Sequence, residues 1–97
     1  MNKKPQKHDW IWVVVENTGT EERFVGLHDE TDDLPYIPAF TSKEDAADCL
    51  IHMPTQRGNK YEVQAVMFED LEKDAAEGGF QIVLADGEGK IVSRIHT

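Results

Sequence analysis

The apolar stretch Trp10-Ile11-Trp12-Val13-Val14-Val15 places β-branched and aromatic side chains on both alternating sets of positions. These residue types favour strands, and a strand that is apolar on both sides is typically covered on both faces or central in its sheet. Residues 17–20 have the composition of a turn, and Arg23–Leu27 after them is typical of a second strand. We therefore predict an antiparallel hairpin at the start of the fold.

Two amphipathic helices are predicted further along the chain. Thr41 and Glu44 have the spacing of a capping box, in which the hydroxyl and the carboxylate each accept a backbone amide. The helix that follows should end before Pro54, because proline disfavours a helical residue in front of it. Apolar residues recur at 68, 71 and 75 with acidic residues between them, which predicts a second helix that ends at Gly78-Gly79.

The remaining apolar segments predict strands at 61–66, 80–85 and 90–95, the last two joined as a hairpin. Residues 34–40 are also extended in character, but their two prolines each remove a backbone donor, so we expect an edge strand or a very short one. The order of elements predicts an α+β fold. We expect a two-layer sandwich in which a mixed, mostly antiparallel sheet of about five strands carries both helices on one face.

The chain has 97 residues, of which 39% are hydrophobic and 30% charged, a balance typical of one globular domain. Residues 1–9 are interpreted as a disordered basic tail and residues 10–97 as a single domain. The longest apolar run is much shorter than the roughly 20 residues that span a bilayer, and it is also too short for a signal peptide. We therefore expect a cytoplasmic protein. The single cysteine excludes an internal disulfide.

The chain is strongly acidic, with a formal net charge of −9. Lys3, Lys4 and Lys7 lie in the tail, which leaves seven basic against 19 acidic residues over positions 8–97. Such a surface repels phosphate backbones, so nucleic-acid binding is not expected. Acidic surfaces usually serve solubility, and a basic partner protein is the more specific alternative.

Three segments carry a resemblance to a known family: Ile37–Glu44, Val63–Leu71 and Gly78–Leu84. Over residues 38–90 the chain resembles the N-terminal domain of the SseB family, which enters its first helix with proline, an aromatic residue, Thr-Ser and an acidic residue. The chain has Ala85-Asp86-Gly87 where that family tends to place an Asn-Pro pair. The resemblance implies a small accessory or interaction domain and carries over no catalytic residue.

No pattern in the sequence specifies a metal ion or a cofactor. The acidic segment 28–33 fails the spacing of a calcium-binding loop, since Leu34 and Phe40 occupy the positions that need glycine and glutamate. We expect a solvated loop there, and no metal site or cofactor. Cys49 and His52 are neighbours on one helix face and form the only candidate nucleophile pair, but nearby carboxylates oppose a thiolate. A small buried core residue is the preferred interpretation of Cys49.

Two hypotheses for the function follow from these patterns. The first is a non-enzymatic interaction or regulatory module that meets a basic protein or a second copy of itself. The second is a small enzyme or ligand-binding protein that uses Cys49, His52 and nearby carboxylates. Aromatic side chains are enriched at protein interfaces, although core packing is their commoner role. The residues expected to form the interaction surface are Trp10, Trp12, Tyr36, Asp29, Asp32 and Asp33.

Overall fold

A computed structural model describes residues 5–29, 32–53, 55 and 57–95 of the chain. Within these residues it contains seven strands and two helices, which confirms the α+β class. The elements are β1 (Trp10–Asn17), β2 (Glu22–Phe24), β3 (Leu27–Asp29), β4 (Asp32–Phe40), α1 (Lys43–His52), β5 (Lys60–Met67), α2 (Phe68–Gly78), β6 (Gln81–Ala85) and β7 (Ile91–Ile95).

The strands form one open mixed sheet in which β1 and β4 each pair with three other strands. One edge of β1 pairs with β5 along its whole length, from Trp10 opposite Met67 to Asn17 opposite Lys60. Its other edge pairs with β2 near the end of β1 and with the last residues of β4 near the start. The predicted antiparallel pairing at the start of the fold is therefore confirmed, but the predicted second strand, Arg23–Leu27, is divided between β2 and β3. The strand β5 is an outer strand of the sheet among the described residues.

The proline-bearing strand β4 lies inside the sheet, so the expectation of an edge or very short strand was wrong. It pairs in parallel with β6 on one side, and with β3 and β1 on the other. Pro35 lies opposite His28 of β3 but precedes the ladder with β6. Pro38 lies opposite Val83 of β6 but falls between the residues of β4 that pair with β3 and those that pair with β1. Each proline therefore has a paired neighbour on one side of β4 only, and a strand tolerates proline where the missing amide meets no ladder.

The two helices pack on opposite faces of the sheet, so the expected placement of both helices on one face does not hold. The described sheet has seven strands, where about five were expected. Alternation along β1 explains this arrangement: Ile11, Val13 and Val15 point towards α2, whereas Trp12 and Val14 point towards α1. The α2-face core contains Ile11, Val13, Val15, Ile37, Ala39, Phe68, Leu71, Ala75, Ile82, Leu84 and Ile95. The α1-face core contains Val14, Val25, Phe40, Ala46, Cys49, Met53 and Ala85.

The two helices differ in the groups that accept their first backbone amides. The N-cap of α1 is Ser42, whose Oγ accepts the amide of Asp45 at 3.2 Å, so the predicted box at Thr41 is displaced by one residue. Ser42 and Asp45 repeat the same spacing, and either hydroxyl can serve as a cap. Helix α2 has no side-chain cap. Its first two amides, of Phe68 and Glu69, bond instead to backbone carbonyls of the segment before β1, at 2.9 and 3.1 Å.

Those carbonyls belong to the segment that the sequence predicts as a disordered tail. The amide of Asp9 bonds to the carbonyl of Gln6, and the Asp9 carboxylate accepts the Gln6 amide in return. This turn brings the carbonyls of Lys7 and Asp9 to the first turn of α2. The part of the tail that is described, from residue 5 onward, is thus tied to the fold, and residues 1–4 lie outside the description. Neither helix of the described chain is long and apolar enough to cross a membrane.

Candidate interaction site

The described residues line a surface cleft on each face of the sheet. The cleft on the face of α2 has a volume of about 550 Å³ and the one on the face of α1 about 510 Å³. Arg23, Phe24 and Phe80 line both of them. We call them the α2 cleft and the α1 cleft, and their shared residues place them at the end of the sheet where β1 meets β2.

The floor of the α2 cleft is apolar and comes from four strands and the short connection between α2 and β6. Val15 and Ile37 are buried beneath it, while Phe24, Val66 and Phe80 are only half-buried against the core. Half-buried aromatic and aliphatic side chains at an open cleft leave apolar surface that a partner could remove from water. The residues of this floor are Val15, Phe24, Ile37, Val66 and Phe80.

The rim of the α2 cleft is mainly acidic. Glu22, Asp74 and Glu77 line it with exposed side chains, whereas Arg23 is its one cationic residue. The Arg23 guanidinium already pairs with Glu16 at 2.9 Å and with Glu21 at 3.6 Å. The last turn of α2 carries no basic residue, so its carbonyl ends add to the negative potential at the cleft. The rim therefore favours cationic groups.

The position of Phe80 follows from the way α2 ends. Gly79 adopts a left-handed conformation with φ of 75°, and its amide bonds to the last carbonyls of the helix. The amide of Phe80 then bonds back to the carbonyl of Ala75 at 2.8 Å, which completes a Schellman motif. This capping geometry turns the chain sharply and directs the aromatic residue onto the edge of the α2-face core.

The Phe80 ring lies against the backbone of two glycines, Gly26 and Gly78. A Cβ atom built on either glycine would overlap the ring. Neither glycine has a positive φ, so the requirement comes from close approach and not from the backbone conformation. The break between β2 and β3 at Gly26 therefore makes room for the ring that separates the two clefts.

A buried carboxylate anchors the α1 cleft. Glu16 lies in β1 opposite Arg23 of β2 on one side and Tyr61 of β5 on the other. One of its oxygens accepts Arg23 Nε at 2.9 Å, and the other accepts the Tyr61 hydroxyl at 2.6 Å and Asn59 Nδ2 at 3.1 Å. Three side-chain donors satisfy a group of which only 11% is exposed. Glu16 thus ties three strands and the loop before β5 together.

These donors also set the protonation state of Glu16. The hydrogen bond from Tyr61, then that from Arg23, holds the pKa of this carboxyl below its ordinary value, against the opposing effect of burial. A carboxylic acid with a lowered pKa is ionised at neutral pH and is a poor proton donor. Glu16 is therefore a structural anion rather than a general acid.

Replacing Glu16 with glutamine should lower the free energy of unfolding by about 1–2 kcal/mol at neutral pH, because charge-assisted hydrogen bonds become neutral ones. Since folding lowers the pKa, the contribution of the carboxylate is complete above its ordinary value of 4.5 and is lost as the pH falls through the folded-state value. The difference between wild type and Glu16→Gln should shrink in acid. Urea unfolding at several pH values measures it.

The matched control is Glu88→Gln in the exposed turn between β6 and β7. That substitution should change the free energy of unfolding little at any pH. A Glu16→Gln effect that stays constant from neutral to acidic pH would contradict the assignment of Glu16 as a stabilising anion.

The candidate nucleophile Cys49 lies in the α1-face core with 2% of its surface exposed. Burial, followed by the negative charge of Asp86, raises the pKa of its thiol. His52 lies on the exposed side of the same helix. Within the described residues, no group of three or more His, Cys, Asp or Glu side chains is arranged to hold a metal ion. The geometry thus agrees with a packing role for Cys49.

The predicted interaction residues do not form one exposed patch. Trp10 is 66% exposed at the start of β1, but Trp12 is half-buried against the α1-face core and Tyr36 is buried in β4. The backbones of Asp29, Asp32 and Asp33 belong to β3 and β4, so the loop expected over residues 28–33 is wrong for these positions. Their side chains lie outside the described part of the structure.

The residues that line the clefts were not predicted from the sequence. Phe24 and Phe80 come from distant segments, and only the fold brings them together. Two local signals were available: a single charged residue, Glu16, continues an apolar strand, and the pair Gly78-Gly79 directly precedes an aromatic residue. Comparison with models of known protein families, with curated proteins and with solved structures finds no match to this chain.

Proposed function

We propose that this chain is a cytoplasmic, non-enzymatic protein-interaction module that binds a basic and apolar segment of a partner protein in the α2 cleft. The observation that carries the proposal is the combination of an apolar floor with an acidic rim in one open cleft. The resemblance to the SseB N-terminal domain is consistent with such an accessory role. The α2 cleft replaces the surface expected around Trp12 and Tyr36, because those side chains are largely covered.

Charge complementarity determines the class of partner. Glu22, Asp74 and Glu77 surround apolar surface, so a segment that supplies leucine-like and lysine-like side chains satisfies both parts of the cleft. A second copy of this chain is a poorer occupant, since each copy carries a formal net charge of −9. Acidic peptides and nucleic acids are disfavoured for the same reason.

The alternative function, a small enzyme or ligand-binding protein based on Cys49 and His52, has less support. A thiol with a raised pKa inside the α1-face core is neither ionised nor accessible to a substrate. Rapid alkylation of native Cys49 by iodoacetamide near neutral pH would favour that alternative. Slow labelling would support the packing role.

The binding test uses two synthetic peptides of equal length with alternating apolar and charged residues, one with lysine and the other with glutamate. We expect the lysine peptide to bind, with an affinity that falls as salt is added. It should shift the NMR resonances of Ile37, Val66 and Glu77, which line the α2 cleft and not the α1 cleft. The glutamate peptide should cause no shifts. Equal binding of both peptides, no binding, or shifts confined to the α1 cleft would overturn the proposal.

A further inference from the structure

The strand β5 has one edge that no other strand of the described chain pairs with. Its eight residues pair with β1 in continuous register on one side only. At the other end of the sheet β7 also has a single partner, but it is only five residues long and its ladder with β6 carries a register shift. Long regular edges attract further strands, whereas short or bulged edges are protected. The strands β2 and β3 also pair with one strand each, but they have only three residues. Among the described strands, β5 is therefore the best template for an added strand.

The hydrogen bonds of β1 show which groups of β5 point outward. The carbonyl of Val14 accepts the amide of Val25, so Val14 directs its backbone groups towards β2 and away from β5. In an antiparallel ladder its cross-strand neighbour, Val63, then directs its own amide and carbonyl to the open edge. Ala65, two residues on, has the same orientation. Gln64 and Val66 instead direct their backbone groups towards β1.

The open edge is continuous with the α2 cleft. Gln64 and Val66 belong to β5 and both line that cleft. Side chains on alternate positions of a strand share a face, so Glu62 lies on the same side as Gln64 and Val66. The Gln64 amide nitrogen donates to Glu62 at 2.6 Å and to Glu22 at 3.2 Å, which links the charged residues of the edge and the rim. The edge thus continues the pattern of acidic and apolar surface.

We propose that the basic and apolar segment binds as an additional β-strand along the open edge of β5. This inference rests on the proposed function and specifies the binding mode at the same site. Backbone hydrogen bonds to Val63 and Ala65 would hold the segment. On the α2 face, a basic side chain of the segment would lie opposite Glu62 and an apolar one opposite Val66.

Amide hydrogen exchange with the lysine peptide tests this binding mode. On saturation, exchange of the Val63 and Ala65 amides should slow by roughly tenfold or more, because they gain acceptors. The Gln64 and Val66 amides already face β1 and should change much less, so they are internal controls. Resonance shifts at Ile37 and Glu77, which line only the α2 cleft, without slower exchange at Val63 and Ala65 would overturn strand addition while leaving the proposed function intact. A peptide that does not bind at all would overturn both.

Methylation of the peptide backbone provides a second measurement. Two forms of the lysine peptide are compared, each methylated on one of the two alternating sets of backbone amides. Methylation of the set that faces β5 should lower the affinity by roughly tenfold or more, and methylation of the other set should lower it much less. Equal losses from both methylated sets would overturn the proposal. Exchange at Val63 and Ala65 that slows with rising protein concentration in the absence of peptide would also overturn it, since the edge would then belong to a second copy of the chain.

Discussion

Replacement of Leu71 with alanine is expected to lower the free energy of unfolding by about 2–5 kcal/mol, a large fraction of the total for a domain of this size. Leu71 has no exposed surface and lies in the α2-face core. The substitution removes apolar contacts and leaves a cavity between the helix and the sheet. Urea unfolding followed by circular dichroism measures the change.

The matched control is Ile51→Ala on α1, where the side chain is 76% exposed. It removes a comparable aliphatic group from a helix, but it should change the free energy of unfolding by no more than about 0.5 kcal/mol. Similar losses in the two variants would contradict the assignment of these helix faces. The pair therefore tests the orientation of both helices against the sheet.

Charge reversal at the rim, Asp74→Lys with Glu77→Lys, is expected to weaken binding of the lysine peptide by roughly tenfold or more, because attraction becomes repulsion at two positions. The same variant should fold at least as stably as wild type. Both residues lie in the second half of α2, where the negative end of the helix dipole disfavours acidic groups and favours cations. Affinity and stability should therefore change in opposite directions.

A control variant with the same change in net charge is Asp48→Lys with Glu88→Lys. Both residues are exposed, and neither lines the α2 cleft. Calorimetric titration of each variant with the lysine peptide distinguishes the effect of the rim charges from the effect of the net charge of the protein. An equal loss of affinity in the two variants would show that overall charge, and not the cleft rim, attracts the peptide.

The rim variant is expected to bind the peptide more weakly but to fold at least as stably as wild type. The wild-type carboxylates at Asp74 and Glu77 are therefore expected to lower the stability of α2. A helix that ends among its own carboxylates is less stable than one that ends among lysines. The same carboxylates surround an apolar floor that a purely structural surface has no need to expose. The proposed partner, which supplies cations, would relieve this repulsion and cover the apolar floor.

The helices were predictable because their signals are local. Repeated apolar spacing, a hydroxyl residue before α1 and paired glycines after α2 each act within a few residues. The N-cap of α1 was predicted at Thr41 instead of Ser42 because the next residue also carries a hydroxyl group that can cap a helix. The fold class and the first hairpin followed from the same short-range patterns.

The strand β4 and the placement of the helices were mispredicted for a different reason. Whether Pro38 disrupts a sheet depends on which neighbouring strand reaches that position, and this is a property of pairing between distant segments. The apolar residues on both sides of β1 did indicate two covered faces. Which helix covers which face depends on connections that local patterns do not specify.

The order of residues alone specifies where the helices and most strands begin and end, and it specifies the acidic charge, since these properties depend on dihedral preference, hydrophobic period and composition. Long-range pairing and packing select the rest: β5 as an open outer strand, Glu16 as the acceptor of three distant donors, and Phe80 between Gly26 and Gly78. Each of these features joins groups far apart in the chain. Local periodicity carries no information about which segments meet, so the candidate site became visible only once the sheet was assembled.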